Sequence, residues 1–294
     1  MGTLVARKYP TKLFLKAADH TYVECGSGAK AWSCWGGKTG GTAFNSGTGS
    51  TVRADAIAEP DERAGITCYL VSGVCHQAAN RILLPAGILV SAARGYSLSV
   101  AIFGIYGRVG SGPCHAPFNQ HPGLTGDLPV CIGTPAGGTL SRAKTAIPPR
   151  QSAHLRSIRS SYSRLGSEAA TPLDAMMINV RMFEREVDFR FKRQLPKKAM
   201  RGLREAKVKV ELEHHHLGES FQRKSLGPIE FVVAFNAMTD RFQADAANAL
   251  SAAQYKTLFQ MGRDDRLVLA DPDAIDANFG AGTAAAVYGT QLRQ

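Results

Sequence analysis

The sequence predicts an α+β protein, with strands, turns and a cysteine-bearing helix in its first half and mostly helix after it. Two patterns carry that expectation. Short runs rich in Thr, Tyr and Val, broken by Gly, Ser and Pro, fill the N-terminal part. Further along, Leu173, Met176, Val180, Phe183, Val187 and Phe191 recur at spacings of three and four, one apolar stripe of a helix. With 294 residues, 44% hydrophobic and 20% charged, the chain has the material for a sizeable core.

Taken in order, Lys12–Lys16, His20–Cys25 and Ala31–Trp35 read as short strands. The stretch 36–50, dense in Gly, Ser and Thr, reads as a loop and not a strand. Gly65–Leu70 reads as another short strand, leading to a helix that opens at Cys75 and stops near Pro85. Ser97–Tyr106 alternates in part and reads as a buried strand. Residues 107–150, rich in Gly and Pro, read as a long surface excursion able to serve as a lid. From Ser152 onward helix dominates. Pro196 ends or kinks the first long helix, and Val208, Val210 and Leu212 suit either a strand or a helix edge. An Ala-rich segment runs from Ile229 to Leu250 and is helical in its later part. Ser251-Ala252-Ala253-Gln254 is a capping-box pattern opening a short helix to Met261. The tail 277–294, rich in Gly, Ala and Thr, reads as loose. We divide the chain into 1–150 and a mostly helical 151–294, packed on the first region or separate from it.

Composition narrows the function classes. No apolar run of about 18 residues marks a transmembrane helix, and no signal-peptide pattern opens the chain, so a cytoplasmic location is the expectation. Six cysteines, all in the N-terminal half and without a CxxC pair, are not a disulfide framework and are expected to be reduced. The formal charge of +11 suits an anionic partner such as nucleic acid, a membrane surface or a cell-wall polymer. The basic residues of the middle region are interleaved with acids, as on a solvated helix face. No cofactor motif is read, and oligomeric state is not encoded legibly.

The chemistry centres on Cys75. It lies where Gly73-Val74 opens into a helix, and a thiol in a first helical turn feels the positive end of the helix dipole, which favours the nucleophilic thiolate. An inert core thiol is the competing reading. A catalytic thiol needs a base, and His20, in the strand Asp19-His20-Thr21-Tyr22-Val23, can be held rigidly by a sheet. A plain strand histidine is the competing reading there. His76 is adjacent to Cys75, but neighbours on a helix point about 100° apart, so it suits a lining role better than that of base. His115 and His121 remain candidates in the long loop, and His214-His215-His216 reads as a solvated or incidental metal-binding patch. Gln77 and Asn80 can add polar contacts to a substrate or oxyanion, or serve as ordinary helix amides. Trp32 and Trp35 read as packing.

The pieces Asp19-His20-Thr21-Tyr22-Val23 and Gly73-Val74-Cys75-His76-Gln77 resemble the circularly permuted papain-like cysteine enzymes, the group of NlpC-type amidases and lecithin:retinol acyltransferase relatives, over roughly the first 110 residues. The resemblance implies a papain-like antiparallel sheet with a cysteine-bearing helix, Cys75 as nucleophile and His20 as general base. It also implies a thioester intermediate and a peptide or other amide-containing substrate. It implies a third polar residue on the strand after the histidine, where this chain offers Ser33 or Cys34. The expected function is therefore a cysteine-dependent hydrolase or acyltransferase. Two alternatives come from other classes: a metal site drawn from His20, Cys34, Cys75, His76, Cys114 and His115, and a non-catalytic basic binding or structural protein.

Overall fold

The computed structural model describes residues 1–13, 17–33, 36–64, 69–108 and 171–292. It is α+β. Four strands, β1 (Gly2–Pro10), β2 (Asp19–Cys25), β3 (Ala31–Trp32) and β4 (Thr42–Gly49), form an antiparallel sheet in the order β3-β2-β1-β4. Nine α-helices among the described residues accompany it: α1 (Thr51–Ala64), α2 (Cys75–Ile82), α3 (Tyr96–Phe103), α4 (Pro172–Arg190), α5 (Lys197–Gln222), α6 (Pro228–Ala249), α7 (Ala252–Phe259), α8 (Pro272–Phe279) and α9 (Thr283–Tyr288). No helix among the described residues is long and apolar enough to cross a membrane.

Several local expectations are met. β2 coincides with the His20 strand, and α2 begins at Cys75 and ends before Pro85, which instead sits in a 3-10 turn, Leu84–Ala86. Ser251 accepts a hydrogen bond from the Gln254 N–H and caps α7, as its sequence pattern requires. α4 ends at Arg190, and Pro196 stands directly ahead of α5. The stripe of α4 buries Met176, Val180, Phe183 and Val187, while Leu173 at its start is exposed.

Other expectations are corrected. The segment 42–49 is not loop but the edge strand β4, paired with β1 from Gly2↔Gly49 to Lys8↔Thr42. Its glycines permit close approach rather than turning: a Cβ on Gly49 would meet the Ala86 backbone N at 2.7 Å, and one on Gly47 would meet Ala86 and Ile88 at 3.1–3.2 Å. Ser97–Tyr106 is not a strand, because Tyr96–Phe103 forms helix α3, buried on all sides. A run buried all round carries no polar face, so periodicity cannot separate strand from helix. Residues 208–212 are helical within α5, and the described part of the tail folds into α9 and a 3-10 turn. The N-terminal β1 and the helix α1 complete the differences, and of the strand expected at 12–16 only Lys12 and Leu13 are described, Leu13 bridging Leu292. Most of 65–70 and the excursion from 109 onward lie outside the described residues, as do Cys34, Trp35, Cys68, Cys114, His115, His121 and Cys131.

Two apolar clusters hold the elements together. One joins the sheet (Leu4, Ala6, Val23, Trp32) to α1 and α2 through Ile57, Ala79 and Ile82. The other runs through both regions of the chain, bringing Leu70, Val71, Val74 and Phe103 against Phe183, Val210, Phe235, Phe242 and Leu267. The middle-region charges are not all solvated. Lys207, Glu211 and Arg108 are buried together, with Lys207 Nζ 2.5 Å and Arg108 Nε 2.9 Å from the Glu211 carboxylate and Asn179 donating to it at 3.2 Å. Burial pushes the Glu211 carboxyl up, but Arg108 and Lys207 outweigh it and hold its pKa at about 2.

Replacing Glu211 with Gln leaves two buried cations without their anion, and loss of one partner of a buried pair costs about 3–5 kcal/mol. A group whose pKa is depressed by folding stabilises above its ordinary value of 4.5 and loses that effect as the pH falls toward 2. Urea denaturation should therefore show a large gap between wild type and Glu211→Gln at pH 7 that narrows on acidification below pH 4.5.

Candidate functional site

The candidate site forms where the start of β2, the first turn of α2 and the residues ahead of α8 converge. The Cys75 Sγ lies 3.8 Å from the Asp19 carbonyl, one residue before His20. The chain at 267–271 is drawn beside the same point: Ala17 bridges Val268, and the Ala18 N–H donates to the Val268 carbonyl at 3.0 Å. Three residues on, Asp271 begins α8 as its N-cap, followed by Pro272 in the first turn. Its Oδ1 accepts from the Asp273 N–H at 3.0 Å, and its Oδ2 lies 2.7 Å from His20 Nδ1. His20 and Asp271 are 0% and 3% exposed, so this pair is shielded from solvent.

Asp271 is the residue that sequence reasoning missed. The polar partner of the imidazole comes from 251 positions away, not from the strand after His20. Ser33 is buried on that strand's end, but it is not the group bonded to Nδ1. Asp271-Pro272-Asp273 carried a legible helix-start signal. Nothing local linked that cap to His20.

The electrostatics of His20 follow from three neighbours. Burial opposes its charged form, but the Cys75 sulfur and the Asp271 carboxylate outweigh burial and push its pKa up to about 10. Its Nε2 lies 3.1 Å from the Gly37 carbonyl. With a carboxylate at one ring nitrogen and a carbonyl at the other, both facing atoms are acceptors, so the doubly protonated ring is the form this environment suits.

The other residues singled out from the sequence have different surroundings. His76 is fully buried; its Nε2 donates to the Asp19 carbonyl at 3.0 Å and its Nδ1 lies 2.9 Å from Ser99 Oγ. Burial pulls its pKa down to about 4, so it is neutral and ties α2 to β2. Gln77 accepts from the Val74 N–H and donates to Ser99 Oγ and the Gly104 carbonyl. Asn80 donates to the Ile105 carbonyl and Tyr96 Oη and accepts from the Val90 N–H. The polar atoms of all three are engaged inside the fold rather than presented to a substrate, and they brace the helix behind Cys75. His214 is not a solvated residue: it is buried in α5 and its Nε2 donates to the Leu70 carbonyl at 2.7 Å, while His216 is exposed. Burial pulls its pKa down to about 3.

That Leu70 contact belongs to the turn that aims Cys75. Leu70 has a left-handed φ of 64°, rare for a bulky residue, and the turn is closed by the Leu70 N–H on the Gly73 carbonyl. Next to it, the Tyr69 hydroxyl accepts from the Asp271 N–H at 2.6 Å. The turn carrying the thiol and the loop carrying the carboxylate are thus joined directly. Among the described residues, no group of three or more His, Cys, Asp or Glu is arranged to hold a metal ion.

Fold and site together define an α+β protein with a buried cysteine, histidine and aspartate brought together from three separated segments. Comparisons with protein-family models, curated proteins and solved structures give no match to this chain.

Two outcomes follow. His20 binds its proton more tightly when folded (about 10) than at its ordinary value of 6.5, so its contribution to stability is complete below pH 6.5 and lost as the pH rises through 10. The stability gap between wild type and His20→Gln, measured by denaturation over this range, should shrink with rising pH. Gly36 has φ +79°, and a Cβ there would sit 2.6 Å from His20 Cε1. Gly36→Ala should cost about 1–2 kcal/mol from the left-handed backbone alone, and it should displace the His20 ring resonances in an NMR spectrum.

Proposed function

We propose that the protein is a cysteine-dependent hydrolase or acyltransferase that acts on an amide-type bond through a thioester, with Cys75 as nucleophile and His20 as acid and base. Its N-terminal sheet and α2 correspond in this reading to a circularly permuted papain-like arrangement. Asp271 takes the orienting role that the family assigns to a residue on the following strand. The observation that carries the reading is the 2.7 Å contact between Asp271 Oδ2 and His20 Nδ1, beside a thiol in the first turn of a helix. A carboxylate bound to one imidazole nitrogen fixes the ring, and Nε2, which rests on the Gly37 carbonyl, is the nitrogen that exchanges protons.

The chemistry runs in two halves. The Cys75 thiolate attacks the substrate carbonyl carbon, and the negative charge moves to the carbonyl oxygen. The N–H groups of Cys75 and His76, in the first turn of α2, are of the kind that lack partners within a helix and can receive that oxyanion. The His20 imidazolium then gives its Nε2 proton to the leaving nitrogen, the C–N bond breaks, and an acyl thioester remains on Cys75. Water or another nucleophile gives a proton to neutral His20 as it attacks the thioester. Breaking the C–S bond returns the thiolate and the imidazolium. Whether water or another acceptor enters decides between hydrolysis and transfer. Throughout the cycle Asp271 holds Nδ1 and compensates the charge on the ring. The net charge of +11 adds a preference for an anionic substrate or surface.

The test is alkylation by iodoacetamide over a pH series, read at Cys75 by peptide mass spectrometry because the chain has six cysteines and Cys25, among the described residues, is partly exposed. Turnover of a panel of acyl p-nitroanilides is measured in parallel. Cys75 should react faster than a free cysteine below pH 8, and His20→Ala should lower turnover by about 10²–10⁴-fold. Cys75→Ala should abolish turnover, and Asp271→Asn should weaken both reactions. A Cys75 that reacts no faster than a model thiol, together with full activity in Cys75→Ala, refutes the proposal.

A further inference from the structure

His20 is held from a third side by β1. Tyr9 is its direct cross-strand partner in the register of β1 and β2, and the two rings stack with centroids 4.7 Å apart and planes 28° apart. The Tyr9 hydroxyl accepts from the Gly37 N–H at 3.2 Å. The same residue, Gly37, presents its carbonyl to His20 Nε2 at 3.1 Å. There is no room for slack in this strap, since a Cβ on Gly37 would fall 2.8 Å from the Tyr9 hydroxyl and one on Gly36 would strike the His20 ring.

We propose that Tyr9 is a positioning residue of the site, holding the His20 ring by stacking and fixing, through the Gly37 N–H, the acceptor that faces Nε2. The inference rests on the reading of His20 as the acid and base. A stacked phenol face stabilises a cationic imidazole more than a neutral one. A carbonyl held at Nε2 does the same, because the neutral ring bonded through Nδ1–H to Asp271 would turn a lone pair toward that oxygen. Both contacts therefore favour the imidazolium that pairs with the Cys75 thiolate and later protonates the leaving group. Burial and the nearby Asp271 keep that phenol protonated well above its ordinary range.

Among the described residues, the other titratable groups around His20 include Asp271 and Asp273 at the start of α8, Cys75 and His76 on α2, Asp19 and Lys8 on the sheet, Tyr69 in the turn ahead of α2, and Lys12 beside Asp273. The experiment has to separate Tyr9 from these. The full-length protein, labelled with ¹⁵N-histidine, is titrated by NMR as wild type, Tyr9→Phe, Tyr9→Leu, Asp271→Asn and Cys75→Ala. The pH profile of Cys75 alkylation by iodoacetamide is recorded alongside. Tyr9→Phe keeps the stack and loses the acceptor for Gly37, so the His20 midpoint should fall by about half to one pH unit, the effect of one neutral hydrogen bond. Tyr9→Leu should fall further, and the upper limb of the alkylation profile should move with each midpoint. If Tyr9→Phe and Tyr9→Leu titrate like wild type while Asp271→Asn falls, Tyr9 is packing alone and the inference is overturned. If Asp271→Asn and Cys75→Ala also leave His20 unchanged, the reading of the site itself fails. Tyr9→Phe retains the ring and its packing, so the test does not depend on Tyr9→Leu folding.

Discussion

A buried imidazole and a buried carboxylate 2.7 Å apart, from opposite ends of the chain, set the conditions under which the rest of this structure is built. Neither group tolerates burial alone, since an unpaired ion away from water is strongly unfavourable. The pair is compensated by neighbours on every side. The Cys75 sulfur bears on the ring, the Asp273 N–H and the helix start of α8 support the carboxylate, and the Gly37 carbonyl receives the second ring nitrogen. The N-terminal sheet and the C-terminal helices therefore cannot separate without breaking this contact.

The scaffold around the pair is rigid for identifiable reasons. His76 and Asn80 tie α2 to β2, to α3 and to the chain at Val90, and Gln77 caps the helix whose first residue is Cys75. Tyr69 joins the turn ahead of Cys75 to Asp271, and His214 of α5 holds the carbonyl of left-handed Leu70 in that same turn. Buried polar networks of this kind favour one arrangement strongly when every member is satisfied. Residues that look like site chemistry in the sequence thus act as the frame on which the site is mounted. A second buried network, Arg108-Lys207-Glu211, repeats the principle between α5 and the chain after α3.

The legible parts of the fold were those with a local cause. β2 could be read because its β-branched and aromatic residues favour strand, α7 because Ser251 and Gln254 cap it, and the α4 stripe because it follows the helical period. β4 was hidden because its glycines serve close packing against Ala86, and in sequence such glycines look the same as turn glycines. α3 was hidden because burial on all sides erases the pattern that would mark a helix. Cys75 and His20 could be named as a pair because a thiol at a helix start and a histidine on a strand each leave a local trace.

The sequence alone determined the α+β character, the helix start at Cys75 and the strand around His20, because propensity, capping and periodicity act over a few residues. Only the tertiary structure decided what those residues meet. It brought Asp271 to His20 across 251 positions, set Tyr9 and Gly37 against the same ring, and turned His76, Gln77 and Asn80 into internal struts. These are long-range contacts fixed by strand register, core packing and the need to pair buried polar groups, and no short stretch of chain encodes them.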